Sequence, residues 1–251
     1  MQAGLEGNDL AKFVAAKRAA MMVESGMAIG LGTGSTAYWL VKCLGERVRH
    51  EGLAIKCAVT SDRTKRQAAD ENLLVFDLDD LGQLDLVIDG ADEIDPQFNL
   101  IKGAGGALLQ EKIVASTAER MVVIADPSKI VDRLGAFKLP VEIVPFGMGS
   151  TRNKIADLLK HVDVRSTMIE MRMAGDALFR TDCGNHIVDL SLGYIANPRQ
   201  LAVALNQIPG VIESGLFISL CDTVIIGYPD GHTDLREHGG PAESFFDESD
   251  R

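Results

Sequence analysis

The sequence predicts an α/β fold. Up to residue 126, short apolar runs with the pattern of buried strands alternate with segments of helical pattern. Several of these runs end in a glycine-rich or acidic loop, which is typical of parallel strands at the edge where ligands bind. After about residue 130, shorter strands follow one another closely. We therefore expect a mostly parallel, Rossmann-like sheet with helices on both faces, and a smaller α+β lobe.

The first part of the chain supplies the elements of the large sheet. Capping residues and glycine stops place the helices, and short apolar runs between turn residues place the strands. Asp9 is the expected N-cap of the first helix, Gly26 its stop, and Ser61 the cap of the third. The predicted helices cover residues 9–24, 35–49, 61–71 and 106–120. The predicted strands cover residues 27–32, 53–60, 73–78, 84–90 and 121–126.

The second part of the chain has a different pattern. KLPVEIVPFG (138–147) contains two prolines, so we expect an edge strand or a connection between domains, because proline cannot donate to a β-ladder. CDTVIIGYPDG (221–231) resembles a buried parallel strand and is expected to rejoin the first sheet. Helices are predicted at 150–161 and 198–207 and short strands near 164–173, 176–181 and 185–190, and GVIESGLF (210–217) completes the segment.

These patterns predict a division into domains. We expect a sheet domain of residues 1–136 and 211–231 and a small lobe of residues 137–210. Residues 232–251 are acidic and poor in aliphatic side chains, so we expect a disordered tail there.

The charge balance limits the kinds of partner. The chain has 36 acidic and 25 basic residues, a formal net charge of −11. Such a chain does not attract nucleic acid or anionic membranes in bulk, so a bound anion needs a local site. The pattern of a signal peptide is missing, and no apolar run approaches the ~20 residues that span a bilayer, so we expect a cytoplasmic protein. Four scattered cysteines without a C-x-x-C pair are expected to be buried, reduced thiols.

GLGTGSTA (30–37) lies at a predicted strand-to-helix turn. Its glycines permit close approach of a ligand. The first N–H groups of the next helix, with the hydroxyls of Thr33, Ser35 and Thr36, favour anion binding. The segment lacks the lysine of a P-loop, and it fits the dinucleotide fingerprint in two registers, so the pattern does not identify a nucleotide site. A tight turn without a ligand stays an alternative.

DGADEID (89–95) places four carboxylates directly after a predicted strand. Crowded carboxylates can hold a divalent metal. They can also transfer protons to and from hydroxyl groups when they are held at a strand end. A solvated loop is the third alternative, and the residues of this segment alone do not choose among the three.

KGAGGALLQEK (102–112) combines a lysine, a glycine loop and a helical glutamate. Glu111 is expected about 7 Å along the helix axis from Gly106, at 1.5 Å per residue. A lysine can stabilise an oxyanion while a carboxylate removes the proton next to a carbonyl. A solvated Glu111 paired with a nearby lysine is the alternative.

Six motifs in order resemble the successive signatures of type A ribose-5-phosphate isomerases. They are GLGTGSTA, DGADEID, KGAGGALLQEK, ADPSKIVDRLG (125–135), KLPVEIVPFG and TDCGNHIVD (181–189). The resemblance covers nearly the whole chain and implies an α/β domain with an inserted, ferredoxin-like lobe. It implies interconversion of D-ribose 5-phosphate and D-ribulose 5-phosphate through an enediol, without cofactor or metal. It also implies a homodimer or a tetramer.

The resemblance assigns roles to individual residues. Glu111 resembles the general base, Lys102 the cation that stabilises the oxyanion, and Asp89, with Asp92 beside it, the acid that manages protons on the substrate oxygens. Lys12 aligns with a lysine that helps to neutralise the phosphate. The substrate-binding residues that it implies are Lys12, Thr33, Gly34, Ser35, Thr36, Asp89, Gly90, Ala91, Asp92, Lys102, Gly103, Ala104, Gly105 and Lys129.

The chain departs from the family pattern at a few positions. Ala104 replaces a common glycine, which would strain the loop if that backbone needs a positive φ. Gln110 stands where an arginine is frequent, and Asp62 and Arg63 replace small residues. None of these changes removes a catalytic group.

The same architecture serves other functions. Coenzyme A transferases and sugar-phosphate-sensing regulatory domains share this sheet, so the fold does not decide the function. The combination of Asp89, Lys102 and Glu111 favours the isomerase.

Overall fold

The computed structural model describes residues 4–246 of the chain, which divide into two units. Unit 1 contains the residues up to Ala91, Ile113–Ile130 and those from Leu220 onward. Unit 2 contains Asp92–Lys112 and Val131–Ser219. Most of unit 2 is therefore inserted in the sequence between two parts of unit 1.

The six predicted helices are present in the predicted order, and α4 (Leu78–Leu81) is a helix that was not predicted. The helices are α1 (Gly7–Ala20), α2 (Ser35–Glu51), α3 (Asp62–Asp70), α4 (Leu78–Leu81), α5 (Leu108–Thr117), α6 (Met148–Leu159) and α7 (Pro198–Asn206). A 3-10 turn covers Pro127–Lys129. None of the helices in the described part of the chain is long and apolar enough to cross a membrane.

The strands are short. They are β1 (Ala28–Leu31), β2 (Lys56–Val59), β3 (Leu86–Asp89), β4 (Glu93–Ile94), β5 (Leu100–Ile101), β6 (Met121–Ala125), β7 (Leu139–Ile143), β8 (Met168–Met171), β9 (Met173–Ala174), β10 (Ala177–Leu178), β11 (His186–Ser191), β12 (Val211–Ser214), β13 (Leu216–Phe217), β14 (Thr223–Gly227), β15 (His232–Glu237) and β16 (Ala242–Phe246).

Unit 1 contains a seven-stranded sheet in the order β16-β15-β14-β6-β3-β1-β2. The five strands from β14 to β2 run parallel, and β15 and β16 extend the sheet as antiparallel strands. Because successive side chains point to opposite faces, Ile29 and Leu31 join the core formed with α1 and α2. Gly30 faces the other way, where Val114 of α5 packs. The predicted parallel sheet with helices on both faces is confirmed.

Unit 2 has the α+β pattern that the sequence predicts. Its main sheet is antiparallel, in the order β12-β7-β11-β8. Apolar side chains of α6 and α7, including Ile155 and Leu201, pack with Val141 and Val188 of the sheet in one core. A second sheet joins β4, β5 and β13, and β9 and β10 form a separate hairpin.

Local predictions were wrong in the first part of the chain. α1 begins at Gly7, and Asp9 lies in its first turn instead of capping it, since the N-cap position is Glu6. α1 also ends at Ala20, before the predicted stop. Residues 73–78 form one isolated bridge, Val75 to Cys57, instead of a strand, and Leu74 remains 65% exposed. Ser61 does cap α3, accepting from the Thr64 N–H.

Predictions also failed in the later part of the chain. The segment 138–147 contains β7, which is an inner strand and not an edge strand. The proline at position 140 is tolerated because its carbonyl accepts from the Gly215 N–H, while it has no N–H that needs a partner.

The acidic end of the chain was expected to be disordered, whereas residues 232–246 form β15 and β16. There Leu235 packs against the core of unit 1, and the Arg18 guanidinium lies 4.2 Å from the centre of the Phe245 ring. The remainder of the predicted tail, 247–251, lies outside the described residues. β14 rejoins the first sheet beside β6, as predicted.

The units differ from the predicted domains at one place. Asp92–Lys112, expected in the sheet domain, belongs to unit 2. Units of a structure are not by themselves independently folding domains, so the division into domains stays a prediction.

Candidate active site

Three of the predicted binding loops lie at one edge of the unit 1 sheet. β1, β3 and β6 are neighbouring parallel strands, so the segments after their carboxyl ends share that edge. These segments are 32–34, 90–91 and the turn that contains Lys129. The half-buried Lys12 belongs to a turn of α1 that lies against Gly227, where a Cβ atom would come within 2.0 Å of the Ala11 carbonyl oxygen. Since Gly227 ends β14, Lys12 belongs to the same edge.

Asp89 is held by main-chain N–H groups. It is the last residue of β3 and is 1% exposed. Its Oδ1 accepts from the Thr33 N–H at 3.1 Å and from the Gly90 N–H at 2.7 Å. Gly32 makes this approach possible, because a Cβ there would lie 2.1 Å from the carboxylate carbon. Charge-assisted bonds of this kind are the stronger class of hydrogen bond, so the carboxylate is fixed in place.

The Thr33 hydroxyl contacts three other hydroxyl groups of the protein. It lies within hydrogen-bond distance of the hydroxyls of Thr60 (2.8 Å), Ser61 (2.7 Å) and Thr64 (3.1 Å). Thr64 in turn donates to the Gly32 carbonyl at 3.0 Å. These hydrogen bonds connect the glycine turn, residues 32–34, to the segment between β2 and α3 and to the first turn of α3. The sequence showed the Ser61 cap, but it gave no sign of these contacts.

The remainder of the glycine turn leads into α2. Gly34 has a φ of 132°, and its carbonyl accepts the first helical bond, from Tyr38. Ser35 is exposed and Thr36 is buried. The first N–H groups of a helix have no partner within the helix, and together with the helix dipole they favour an anion. The geometry therefore suits a phosphate group at this turn.

Unit 2 contributes a buried ion pair. The Nζ of Lys102 lies 3.4 Å from the Oε2 of Glu111, and the two residues are 2% and 3% exposed. Lys102 follows β5, and its N–H donates to the Gly215 carbonyl at 2.9 Å. Glu111 lies in the first turn of α5. A carboxylate base beside a fixed cation can remove a proton from carbon while the cation stabilises the oxygen that becomes negative.

Asp92 holds the glycine loop that follows Lys102. Its Oδ2 accepts from the Ala104 N–H at 2.9 Å, and its own N–H donates to the Ile101 carbonyl. Gly103 and Gly106 have φ values of 105° and 84°. Ala104 is not among the non-glycine residues with a positive φ in the described part of the chain. The alanine therefore does not introduce the backbone strain that a positive φ would cause.

The other acids of DGADEID also bind main-chain N–H groups. Glu93 accepts from Gly135 and Phe137, each at 2.6 Å. Asp95 accepts from the N–H groups of Gln97 and Asn99 at 2.9 Å. Within residues 4–246, no group of three or more histidine, cysteine, aspartate or glutamate side chains is arranged to hold a metal ion.

Lys112, the last residue of the third motif, has a role that the sequence did not indicate. Its Nζ donates to the carbonyls of Ser214 (2.7 Å) and Leu216 (2.8 Å) and pairs with Glu213 at 2.8 Å. Burial lowers the pKa of Lys112, although the Glu213 carboxylate opposes that shift. The Phe217 ring centre lies 4.9 Å from this ammonium and 5.5 Å from that of Lys102. These partners are distant in sequence, so no local pattern could reveal them.

Each unit thus assembles part of the predicted set. Unit 1 brings Asp89 to Thr33 and Gly90, and it places Lys12 and Lys129 at the same sheet edge. Unit 2 brings Lys102 to Glu111 and Asp92 to Ala104. Gln110, where an arginine is frequent, contacts the Cys183 sulfur at 3.6 Å. Cys183 is exposed, contrary to the expectation of four buried thiols, whereas Cys43, Cys57 and Cys221 are buried.

The family model that matches and the relatives described below carry the same family name. Residues 56–231 match the model of the family described as ribose 5-phosphate isomerase A (phosphoriboisomerase A). The chain is 55% identical to ribose-5-phosphate isomerase A of Roseobacter denitrificans over 237 residues, covering 94% of this chain and 90% of that protein. It is 54% identical to the Cereibacter sphaeroides protein of the same name over 252 residues, covering 100% of this chain and 96% of the relative.

Solved structures agree with the sequence comparison. Ribose 5-phosphate isomerase A of Methanocaldococcus jannaschii superposes with a TM-score of 0.83 at 35% identity, over 91% of this chain and 98% of that one. A D-ribose-5-phosphate isomerase in complex with phospho-erythronic acid also gives a TM-score of 0.83, at 36% identity, over 90% of this chain and 97% of that one.

Proposed function

The chain belongs to the ribose 5-phosphate isomerase A family, and we propose on that premise that it interconverts D-ribose 5-phosphate and D-ribulose 5-phosphate. The buried pair of Lys102 and Glu111 is the observation that carries the proposal, because it joins a base to a cation in the way that an enediol intermediate requires. The alternatives, a coenzyme A transferase or a regulatory domain, are not favoured by the comparisons.

In the proposed mechanism, the Glu111 carboxylate removes the proton from C2 of the open-chain aldose. The electron pair moves into a C1–C2 double bond, and the negative charge that develops on the carbonyl oxygen is stabilised by the Lys102 ammonium. Glu111 then returns the proton to C1, while Asp89 transfers a proton between the two substrate oxygens. One proton leaves C2 and one is added to C1, so the reaction needs no redox partner.

Binding of the phosphate is assigned to neutral donors and lysines. The N–H groups at Gly34, Ser35 and Thr36 would receive it, with Lys129 and Lys12 reducing its charge. The residues of the glycine loop, held by Asp92, would contact the sugar oxygens. The phospho-erythronic acid bound to one relative is a phosphorylated sugar acid, which supports a sugar phosphate as the ligand here.

This proposal is tested by a coupled assay on ribose 5-phosphate with the purified protein and its Glu111→Gln variant. We expect the variant to lose at least about 10³-fold in kcat, within the range of general-base catalysis, while it still binds phospho-erythronic acid. Glu119→Gln, which changes an exposed glutamate, is the matched control and should keep full activity. Allose 6-phosphate serves as the control substrate.

Two results would contradict the assignment. Wild-type protein that leaves ribose 5-phosphate unchanged would overturn the function. Glu111→Gln protein that still turns over at the wild-type rate would remove Glu111 from its role as the base.

The resemblance also suggests an assembly and a location. We propose a homodimer, with a tetramer as the alternative, in the cytoplasm. Light scattering coupled to size-exclusion chromatography distinguishes two copies from four and from a monomer.

A further inference from the structure

The motif TDCGNHIVD has no part in the mechanism above, yet its last residue, Asp189, makes a bidentate ion pair. The Arg172 Nε donates to Oδ2 at 2.9 Å, and Nη2 donates to Oδ1 at 2.5 Å. Both side chains are 14% exposed. Two parallel charge-assisted bonds fix the plane of the guanidinium as well as its position.

The third nitrogen of Arg172 reaches the glycine loop of unit 2. Nη1 donates to the Gly103 carbonyl at 2.7 Å and to the Ala104 carbonyl at 3.1 Å. The carbonyl and the N–H of a planar trans peptide point in opposite directions. The Gly103–Ala104 peptide is therefore held at both ends, by Arg172 at its oxygen and by Asp92 at its N–H. Arg172 also binds the Ala104 carbonyl, so the N–H at the other side of the Ala104–Gly105 peptide, that of Gly105, points away from Arg172.

The hairpin that begins at Arg172 contacts the loop a second time. The Phe179 N–H donates to the Arg172 carbonyl at 2.8 Å, so the two residues face each other across β9 and β10. The Phe179 ring packs on Gly106, where a Cβ atom would come within 2.4 Å of it. The two residues that flank this hairpin thus contact residues 103–106 near both ends, Arg172 at Gly103 and Phe179 at Gly106.

We propose that Arg172, fixed by Asp189, is a positioning residue that orients the peptides of residues 103–105 toward the oxygens of the sugar phosphate. This inference rests on the proposed function, since it takes the loop to bind substrate. Asp189 neutralises the guanidinium charge, so Arg172 acts through the geometry of the loop. It leaves the Lys102–Glu111 pair, and with it the proton transfer, unchanged.

Steady-state kinetics of Arg172→Met test the inference. We expect KM for ribose 5-phosphate to rise about tenfold, the size expected when a charge-assisted hydrogen bond is lost. The kcat should stay within about threefold of wild type. The loop contacts are expected to stabilise bound substrate and transition state equally, so their loss weakens binding without raising the barrier to the chemical step. The inhibition constant of phospho-erythronic acid should rise in parallel with KM.

Matched variants make the result specific. Arg152→Met removes another arginine of unit 2 that donates to a main-chain carbonyl, that of Ile169, and it should leave KM unchanged. Arg172→Lys keeps a donor and should recover part of the affinity. Asp189→Asn should raise KM by less than Arg172→Met, and the double variant should bind no more weakly than Arg172→Met alone, because both changes act through one contact.

The outcomes separate this inference from the proposed function. An inactive wild-type protein overturns the function. Active wild type, with a KM that Arg172→Met does not change, overturns the inference alone, even if the unfolding temperature falls. The inference is also contradicted if the increase in KM of the double variant equals the product of the increases caused by Arg172→Met and Asp189→Asn alone. If Arg172→Met does not fold, Asp189→Asn gives the test, and an unchanged KM there has the same meaning.

Discussion

The two units hold their candidate site residues by different physical means. In unit 1, Asp89 is bound by main-chain N–H groups, and Thr33 by three hydroxyls. In unit 2, Lys102 and Glu111 pair with each other, and two further ion pairs, Lys112–Glu213 and Arg172–Asp189, lie around the glycine loop and β13. Neutral dipoles hold Asp89 and Thr33, whereas paired charges hold Lys102 and Glu111; Asp92 of unit 2, bound to the Ala104 N–H, is held as in unit 1.

This difference predicts unequal consequences of mutation. Removing one member of a buried ion pair leaves a charge without compensation, which costs several kcal/mol. Removing one hydroxyl from a cluster of hydroxyls costs about 1 kcal/mol, because the other members can bond to one another. The variants below compare the two cases.

The largest effect is expected for Lys112→Met. The change leaves the Glu213 carboxylate, which is 17% exposed, without its cation and the Ser214 and Leu216 carbonyls without a donor. We expect the free energy of unfolding to fall by about 3 kcal/mol. Urea denaturation measures this change.

The matched control is Lys138→Met. Lys138 pairs with Glu170, but the side chains are 52% and 49% exposed, so the free energy of unfolding should change by less than about 0.5 kcal/mol. Equal effects of the two lysine variants would show that burial of the unit 2 charges is not what makes them costly to lose.

A smaller effect is expected for Thr33→Val in unit 1. Valine has the same shape but cannot bond to Thr60, Ser61 or Thr64, so we expect a loss of about 1 kcal/mol in the free energy of unfolding. Thr117→Val, which removes a single bond to the Ile113 carbonyl at a partly exposed position, should cost less. A loss for Thr33→Val as large as that for Lys112→Met would remove the contrast between the units.

Glu142 of unit 2 sharpens the comparison, because it is a buried carboxylate bound by neutral donors, Thr181 and Asn185. Burial raises its pKa above 4.5, although these two hydrogen bonds oppose the shift. The folded state then binds more proton than the unfolded state above pH 4.5. This contribution to stability is present below that pH and is lost as the pH rises through the raised pKa.

The test of Glu142 is the pH dependence of its Glu142→Gln variant. Urea denaturation from pH 4.5 upward should show the free energy of unfolding of wild type falling relative to the variant as the pH rises. This is expected to be the smallest of the three effects. A constant difference over that range would mean that folding does not change the proton affinity of Glu142.

Much of the fold could be predicted because its elements depend on local signals. The Ser61 cap, the glycine turn before α2 and the apolar run of β6 are each visible within a few residues. The failures concern tertiary context. In β7, the Pro140 carbonyl accepts a hydrogen bond from the Gly215 N–H, and β15 is ordered by pairing with β14.

The candidate site divides in the same way. The family resemblance assigned roles to Asp89, Lys102 and Glu111, and the structure places the last two together. Arg172, Lys112 and the Thr64 hydroxyl were missed, since each reaches a partner far along the chain. A single sequence contains no signal for such pairs.

The place of β14 in the sheet has a consequence for biosynthesis. β14 pairs with β6, Val122 beside Thr223, although the larger segment of unit 2, Val131–Ser219, lies between them in the sequence. On the ribosome, the outer edge of β6 therefore stays unpaired while the whole inserted segment is being made. Long-range parallel pairing is slow, and an open strand edge can pair with another chain. Until β14 pairs with β6, the nascent chain therefore needs protection from its neighbours.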